Sequence, residues 1–176
     1  MFFVFSFIGW VWEIAIHLYE DGVFVNRGFL KGPYLPIYGG GSMIILILLN
    51  RFRKKPLVEF ASIILLSGVL EYGTATILES LYNAKWWDYT GYFLNVQGRI
   101  CAEGLLIFAI FGCLMVYFLA PISDNLLRRI KLRIIAPICI ILLIVFMVDL
   151  IYSTGHPNTG AGITDYSIQS KTATAE

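Results

Sequence analysis

The sequence predicts an all-α fold: a polytopic transmembrane helix bundle of about five spans. Three observations carry this prediction. Of the 176 residues, 58% are hydrophobic and 14% charged, against about 45–50% apolar and about 25% charged in soluble domains. The apolar residues gather in five stretches, 2–20, 34–50, 57–81, 100–120 and 134–152, each near the roughly 20 residues that cross a hydrocarbon core as a helix. Basic residues concentrate in two short turns, Arg51, Arg53, Lys54 and Lys55, then Arg128, Arg129, Lys131 and Arg133.

The first stretch follows Met1-Phe2-Phe3, which lacks the basic start of a cleaved signal, so it is expected to stay as a span. After the polar loop 21–33, two prolines and several glycines break the start of the second stretch. The run is Asn26-Arg27-Gly28-Phe29-Leu30-Lys31-Gly32-Pro33, followed by Pro36-Ile37-Tyr38-Gly39-Gly40-Gly41. Non-helical backbone at membrane depth is tolerated where protein buries it or where it lines a cavity, and half-helices often cradle a substrate. A plain polar external loop is the competing reading. The third stretch leads into an aromatic-polar loop, 82–99, in which Tyr82, Trp86, Trp87, Tyr89 and Tyr92 form either an interfacial belt or the lining of a site. Beyond the fourth stretch, Pro121 and Leu126-Leu127-Arg128-Arg129-Ile130 predict a solvated turn, with a short amphipathic surface helix as the alternative. Residues 1–152 read as a single transmembrane domain and 153–176 as a polar, disordered tail. The positive-inside rule puts both basic turns in the cytoplasm, hence a multi-pass cell-membrane protein with its amino terminus cytoplasmic and its carboxyl terminus outside.

Ionisable residues inside spans cost about +2.5 to +3.5 kcal/mol each for Asp, Lys or Arg at a helix centre, so each needs a reason. With a rise of ~1.5 Å per residue, Glu13 and His17 lie about 17 and 23 Å along the first span, Glu71 about 21 Å along the third and Asp149 about 22 Å along the fifth. Glu79 and Glu103 fall near the same, outward side. Glu13 and His17 stand at i and i+4 on one face with Trp10 beside them, and Glu71 has Thr74 at i+3. Arg27 and Arg99 are the natural carboxylate partners, because a guanidinium can grip a carboxylate with two parallel hydrogen bonds. The expectation is an ion-paired polar cluster open to the outside. Helix-locking glue is the bland alternative. Asp149 and Glu103, within a turn or so of the boundary, are the easiest to dismiss. Cys101, Cys113 and Cys139 are odd in number and lack zinc-ligand spacing, so they read as small hydrophobes.

No G-x-x-x-x-G-K-[ST], G-x-S-x-G or H-E-x-x-H run occurs, so an ATPase, a common esterase or a zinc protease has no sequence support. Neither a metal nor another cofactor is called for. A net charge of +1 argues against nucleic acid as a partner.

The residues resemble the ABC-transporter type IV, or CmpB-like, family of integral membrane proteins. The matching elements run in order over roughly residues 9–100. They are Gly9-Trp10 with Glu13, Asn26-Arg27-Gly28-Phe29-Leu30 with Gly32-Pro33, and Pro36-Ile37-Tyr38-Gly39. Glu71, Glu79, Trp87-Asp88-Tyr89, Asn95 and Gly98-Arg99-Ile100 follow. The resemblance implies a permease-like subunit, with the lipid bilayer as its medium and a separate ATPase chain or further copies of itself as partners. Glu13, Asn26, Arg27, Glu71, Glu79, Asp88, Asn95 and Arg99 are the substrate-binding candidates, and none is assigned a catalytic role. A function of another class is a membrane-embedded enzyme acting on a lipid head group. Gly98-Arg99-Ile100 with Glu103 is similar, over a few positions, to the Gly-Arg…Glu element of prolipoprotein diacylglyceryl transferase, but Cys101 and Ala102 replace the asparagines expected between. A structural or partner-binding membrane subunit is the third possibility.

Overall fold

The computed structural model describes residues 1–20, 22–160 and 163–164, without the side chain of residue 20. Most of the chain is helical: α1 Phe2–Glu20, α2 Pro36–Leu48, α3 Pro56–Tyr82, α4 Ala102–Leu114, α5 Ala120–Arg129 and α6 Leu132–Gly155. Among the described residues there is no strand, only one isolated bridge between Val96 and Ile100. Four helices are long and apolar enough to cross a membrane: α1, α3, α4 continued through α5, and α6. The fifth, α2, has 13 residues, about 20 Å at the helical rise, which is short of the ~30 Å hydrocarbon core.

Each helix boundary has a local cause. Pro36 and Pro56 open α2 and α3, where a missing N–H costs nothing and the fixed φ suits the helix. Asn83 closes α3 in the left-handed conformation (φ 52°), its N–H bonded to Glu79 O, the usual way of ending a helix. Cys101 caps α4, its Sγ accepting from Gly104 N at 3.3 Å.

The solvated turn predicted from Pro121 onward is helix instead. Residues Met115–Leu119 form one π-helical turn, and α5 carries on to Arg129. A proline inside a regular α-helix removes a hydrogen bond and clashes with the carbonyl four residues back. The wider turn immediately before Pro121 absorbs this misfit, so 28 residues run without a break.

Helices α1 and α2 approach closely because of two glycines. The Tyr38 ring lies directly on Gly9, and Gly39 faces Phe2 O, where an added Cβ would stand 2.6 Å away. Gly112 of α4 receives Ile63 of α3 in the same manner. A core of Phe5, Ile45, Leu49, Ile63, Ala109, Met115, Val116 and Ala120 fills the end of the bundle that carries the basic turns. The opposite end carries the 83–101 loop and is called here the aromatic end. Helix α6 is apolar on all sides and largely exposed from Ile138 to Val148, as suits a lipid-facing span. It docks through Phe146, whose ring meets Phe2, Phe3 and Tyr34 at 5.5, 6.0 and 5.6 Å, and through Asp149. Cys101 is buried, Cys113 half-buried and Cys139 exposed, all three as free thiols.

Gly39→Ala should lower the thermal midpoint in detergent by the equivalent of about 1–3 kcal/mol, the usual cost of overpacking. Ser6→Ala next to it should be neutral or slightly stabilising, since the buried Ser6 hydroxyl has no partner among the described residues. Differential scanning fluorimetry of both variants checks the pair.

Candidate functional site: a non-helical arm beside a buried polar core

Residues 22–35 leave the end of α1 and run back along it as non-helical backbone. The arm meets α1 at three places: Arg27 at His17, Asn26 at Trp10 (Trp10 Nε1 to Asn26 Oδ1, 2.5 Å), and Leu35 N donating to Ser6 O at 3.0 Å. It therefore packs along α1 rather than looping free, and leads into the short α2. Gly28 sits at φ +117° with Leu35 folded over it, a conformation that disfavours any side chain.

Backbone polar groups buried away from water need partners, and three side chains supply most of them here. Asp149 of α6 accepts from Lys31 N at 3.2 Å, Gly32 N at 2.8 Å, Tyr34 Oη at 2.6 Å and Ser153 Oγ at 3.0 Å. Asn158 Nδ2 donates to Asn26 O at 2.7 Å and Gly28 O at 3.3 Å, and its backbone N to Phe29 O at 3.0 Å. Asn26 Nδ2 donates to Lys31 O at 2.8 Å. Lys31 Nζ answers across to Pro157 O at 3.2 Å. From the sequence, Asp149 belongs to the outward set of intramembrane acids but, close to the boundary, is among the easiest of them to dismiss. The structure gives it the opposite role, as the main acceptor for the arm's donors. The tail reading from 153 also gives way where it can be seen: helix continues to Gly155 and Asn158 is buried, while 161–162 and 165–176 lie outside the described residues.

Between arm and α3 lies a polar core built from two carboxylates and two phenols. Tyr38 donates to Glu13 Oε1 at 2.5 Å and Tyr89 to Glu71 Oε1 at 2.9 Å, and the two carboxylates lie close enough for their charges to interact. Glu71 is 4% exposed, and its Oε2 has no partner among the described residues. The Tyr89 phenol is pushed well above its ordinary pKa by burial and by Glu71, so it stays a donor. His17 Nε2 is 3.9 Å from Glu13 Oε2. Arg27 Nη1 also reaches that nitrogen, and since a guanidinium only donates, Nε2 must accept.

Over this core the 83–101 loop folds into a cap. Asp88 Oδ1 accepts from Thr90 N and Oγ1 at 2.9 and 2.6 Å, and Oδ2 from Lys85 Nζ at 3.0 Å. Burial would raise the Asp88 carboxyl, but these bonds outweigh it and hold it below the usual carboxylate range. Gly98 (φ +69°) lies tight against Asp88, and Asn95 Oδ1 accepts from Gly98 N at 3.2 Å. Arg99 Nε and Nη2 both grip Glu79 Oε2, at 3.0 and 2.7 Å, while Nη1 serves Tyr72 Oη at 3.1 Å and Gln97 Oε1. Glu79 raises the Arg99 guanidinium further above its ordinary value. Phe29 of the arm locks into the cap through Tyr82 and Trp86, ring centroids 5.2 and 5.9 Å away. A surface pocket of about 270 Å³ opens beside it, lined by Arg27, Lys85, Trp86, Trp87 and Asp88 with residues 163–164.

A family model described as "Putative ABC-transporter type IV" matches residues 1–154. The chain belongs to this family. No curated protein and no solved structure matches it. The ABC-transporter type IV match takes in the arm, both carboxylate–phenol pairs and Asp149, and stops four residues before Asn158.

Of the sequence-predicted site residues, the structure brings Glu13 and Glu71 together in the core. Asn26 and Arg27 reach Trp10 and His17 of α1 from the arm, and Glu79, Asp88, Asn95 and Arg99 build the cap. The two expected guanidinium–carboxylate pairings resolve differently: Arg99 takes Glu79, whereas Arg27 turns to His17 and to Trp86 O at 2.6 Å. Thr74 bonds Leu70 O at 2.7 Å rather than Glu71, and Glu103 is exposed. From the sequence, Tyr38 and Tyr89 stand in their motifs and Asp149 among the intramembrane acids without these partners being evident, and Asn158 is not marked at all. Their signal was faint, since one phenol within each polar segment and one acid near a span end look ordinary alone.

Arg99→Ala should destabilise the protein by about 1–3 kcal/mol by stranding Glu79. Removing both, as Arg99→Ala with Glu79→Ala, should recover a good part of that loss. A double-mutant cycle on thermal midpoints measures the coupling.

Proposed function

We propose that the chain is a permease-like subunit of an ABC-type transporter. Its solute-binding site is the polar core and pocket at the aromatic end, made by Glu13, Asn26, Arg27, Glu71, Glu79, Asp88, Asn95 and Arg99. The observation that carries this reading is the half-length α2 entered by a non-helical arm, directly beside a buried carboxylate, Glu71, with one oxygen left unpartnered. Interrupted spans of this kind put backbone polar groups next to a solute at membrane depth, and an intramembrane acid is expected to serve function. Family membership supports the transporter context.

The chain carries no ATP-binding motif, so energy would come from a separate ATPase chain or from assembly with further copies. Arg99 favours solute passage over lipid head-group chemistry: Glu79 takes two of its five N–H groups and Tyr72 and Gln97 two more, leaving one N–H for a solute but no pair of parallel donors to grip a phosphate. The two basic turns support an orientation with the amino terminus in the cytoplasm and α6's far end outside. A cysteine at Lys54 that reacts with an impermeant reagent only from inside agrees with this, and reaction from outside alone contradicts it.

The functional test is affinity purification from native membranes, followed by thermal-shift screening of solutes. An ATP-hydrolysing chain should co-purify, and a solute should raise the wild-type midpoint but leave Glu71→Gln unmoved. A chain that isolates alone and answers to no solute, or a solute that shifts both proteins equally, overturns the assignment.

A further inference from the structure

At the other end of α3, in its first turn, stands a second buried carboxylate. Glu59 has no exposure at all, although its neighbours Leu57 and Val58 are exposed. The π-helical turn before Pro121 brings Tyr117 to it: Tyr117 Oη lies 2.5 Å from Glu59 Oε2. The same hydroxyl lies 3.0 Å from the carbonyl of Arg53, in the exposed basic turn. Glu59 Oε1 has no partner among the described residues.

A phenol carries one proton, yet Tyr117 stands between two oxygens that, for an ionised Glu59, could only accept. One of them would then go without. Were Glu59 ionised, the nearby cation should also turn to it, since a buried charge left short of donors is costly. The Arg53 guanidinium does not, and donates instead to Val116 O at 3.3 Å, a carbonyl of the π turn. The ionisable groups facing Glu59 are Arg53 from the turn, with Cys113 and Tyr117 from the helix opposite. The conflict vanishes if Glu59 brings a proton of its own. Its O–H then donates to Tyr117 Oη, Tyr117 donates to Arg53 O, and Oε1 becomes a carbonyl oxygen, which is far less costly to leave bare than half a carboxylate.

We infer that Glu59 is a proton-binding site, linked through Tyr117 and the Arg53 carbonyl to water at the basic end. Single-turn π-helices cluster at functional sites, and this one both places the phenol and frees the carbonyl that occupies Arg53. Nothing in the solute-site reading requires the proton, so each stands or falls alone.

Infrared difference spectroscopy on the full chain in lipid nanodiscs tests the inference. Wild type at neutral pH should show a protonated-carboxyl C=O band that shifts in D2O. Glu59→Gln, the neutral isostere, should keep the wild-type midpoint and lose that band. Tyr117→Phe should keep the band at a changed frequency, because its hydrogen-bond acceptor is gone, and Glu71→Gln identifies any contribution from the other buried acid. Loss of carboxylate rather than protonated-carboxyl absorption in Glu59→Gln, or no change in Glu59→Gln, overturns the inference. An unmoved band in Tyr117→Phe does the same.

Discussion

A backbone that leaves the helix inside a membrane has to find partners for its amides and carbonyls, because the hydrocarbon offers none. The rest of this structure depends on how residues 22–35 meet that demand. Asp149 gathers two consecutive amides and a phenol, and Asn158 gathers three carbonyl groups of the same arm. Both acceptor and donor come from the last helix and the residues just after it, more than a hundred positions away. The arm therefore depends on α6 and the residues after it for many of its polar partners. In turn α6, apolar on all sides, is tied to the bundle largely by this polar clasp and by the Phe146 rings.

From the clasp follows the position of everything polar. The arm delivers Arg27 to His17 and Asn26 to Trp10, and it ends where α2 begins, setting Tyr38 over Gly9 within reach of Glu13. The cap then closes on Phe29 and lowers Tyr89 onto Glu71. Each inner acid is answered by a phenol, which can donate without bringing a charge. Lys85 and Arg99 stay in the outer layer with Asp88 and Glu79. Low dielectric explains the sorting: a full ion pair must repay the desolvation of two charges, while a tyrosine repays only its own. An acid also meets a phenol at Glu59 and Tyr117, at the opposite end of α3, where the inferred proton on Glu59 reverses the donor.

Much of the fold was legible because spans announce themselves by length and apolar content. The five stretches correspond to α1, α2, α3, α4 and α6, and the Gly/Pro run correctly marked a break. Two features were hidden for physical reasons. Pro121 reads as a stop unless a π turn can be foreseen, and nothing in Met115–Leu119 foretells one. Asp149 looked dispensable because depth along its own helix says nothing of what packs against it. In the site, Arg99 with Glu79 followed from charge and position. Arg27 with His17 did not, since the expectation sought a carboxylate and the arm's path set the partner instead. Glu71 was found by its cost, and its phenol was not, because Tyr89 lies in a loop whose fold rests on Asp88, Asn95 and Gly98 together.

Asp149 holds a non-helical arm in place within the bundle. Amide hydrogen exchange at Lys31 and Gly32, in lipid nanodiscs, measures it most directly. Both amides should exchange slowly in the wild type and much faster in Asp149→Ala, with the amides of α3 unchanged. Fast exchange in the wild type, or slow exchange that survives loss of the carboxylate, would contradict the account.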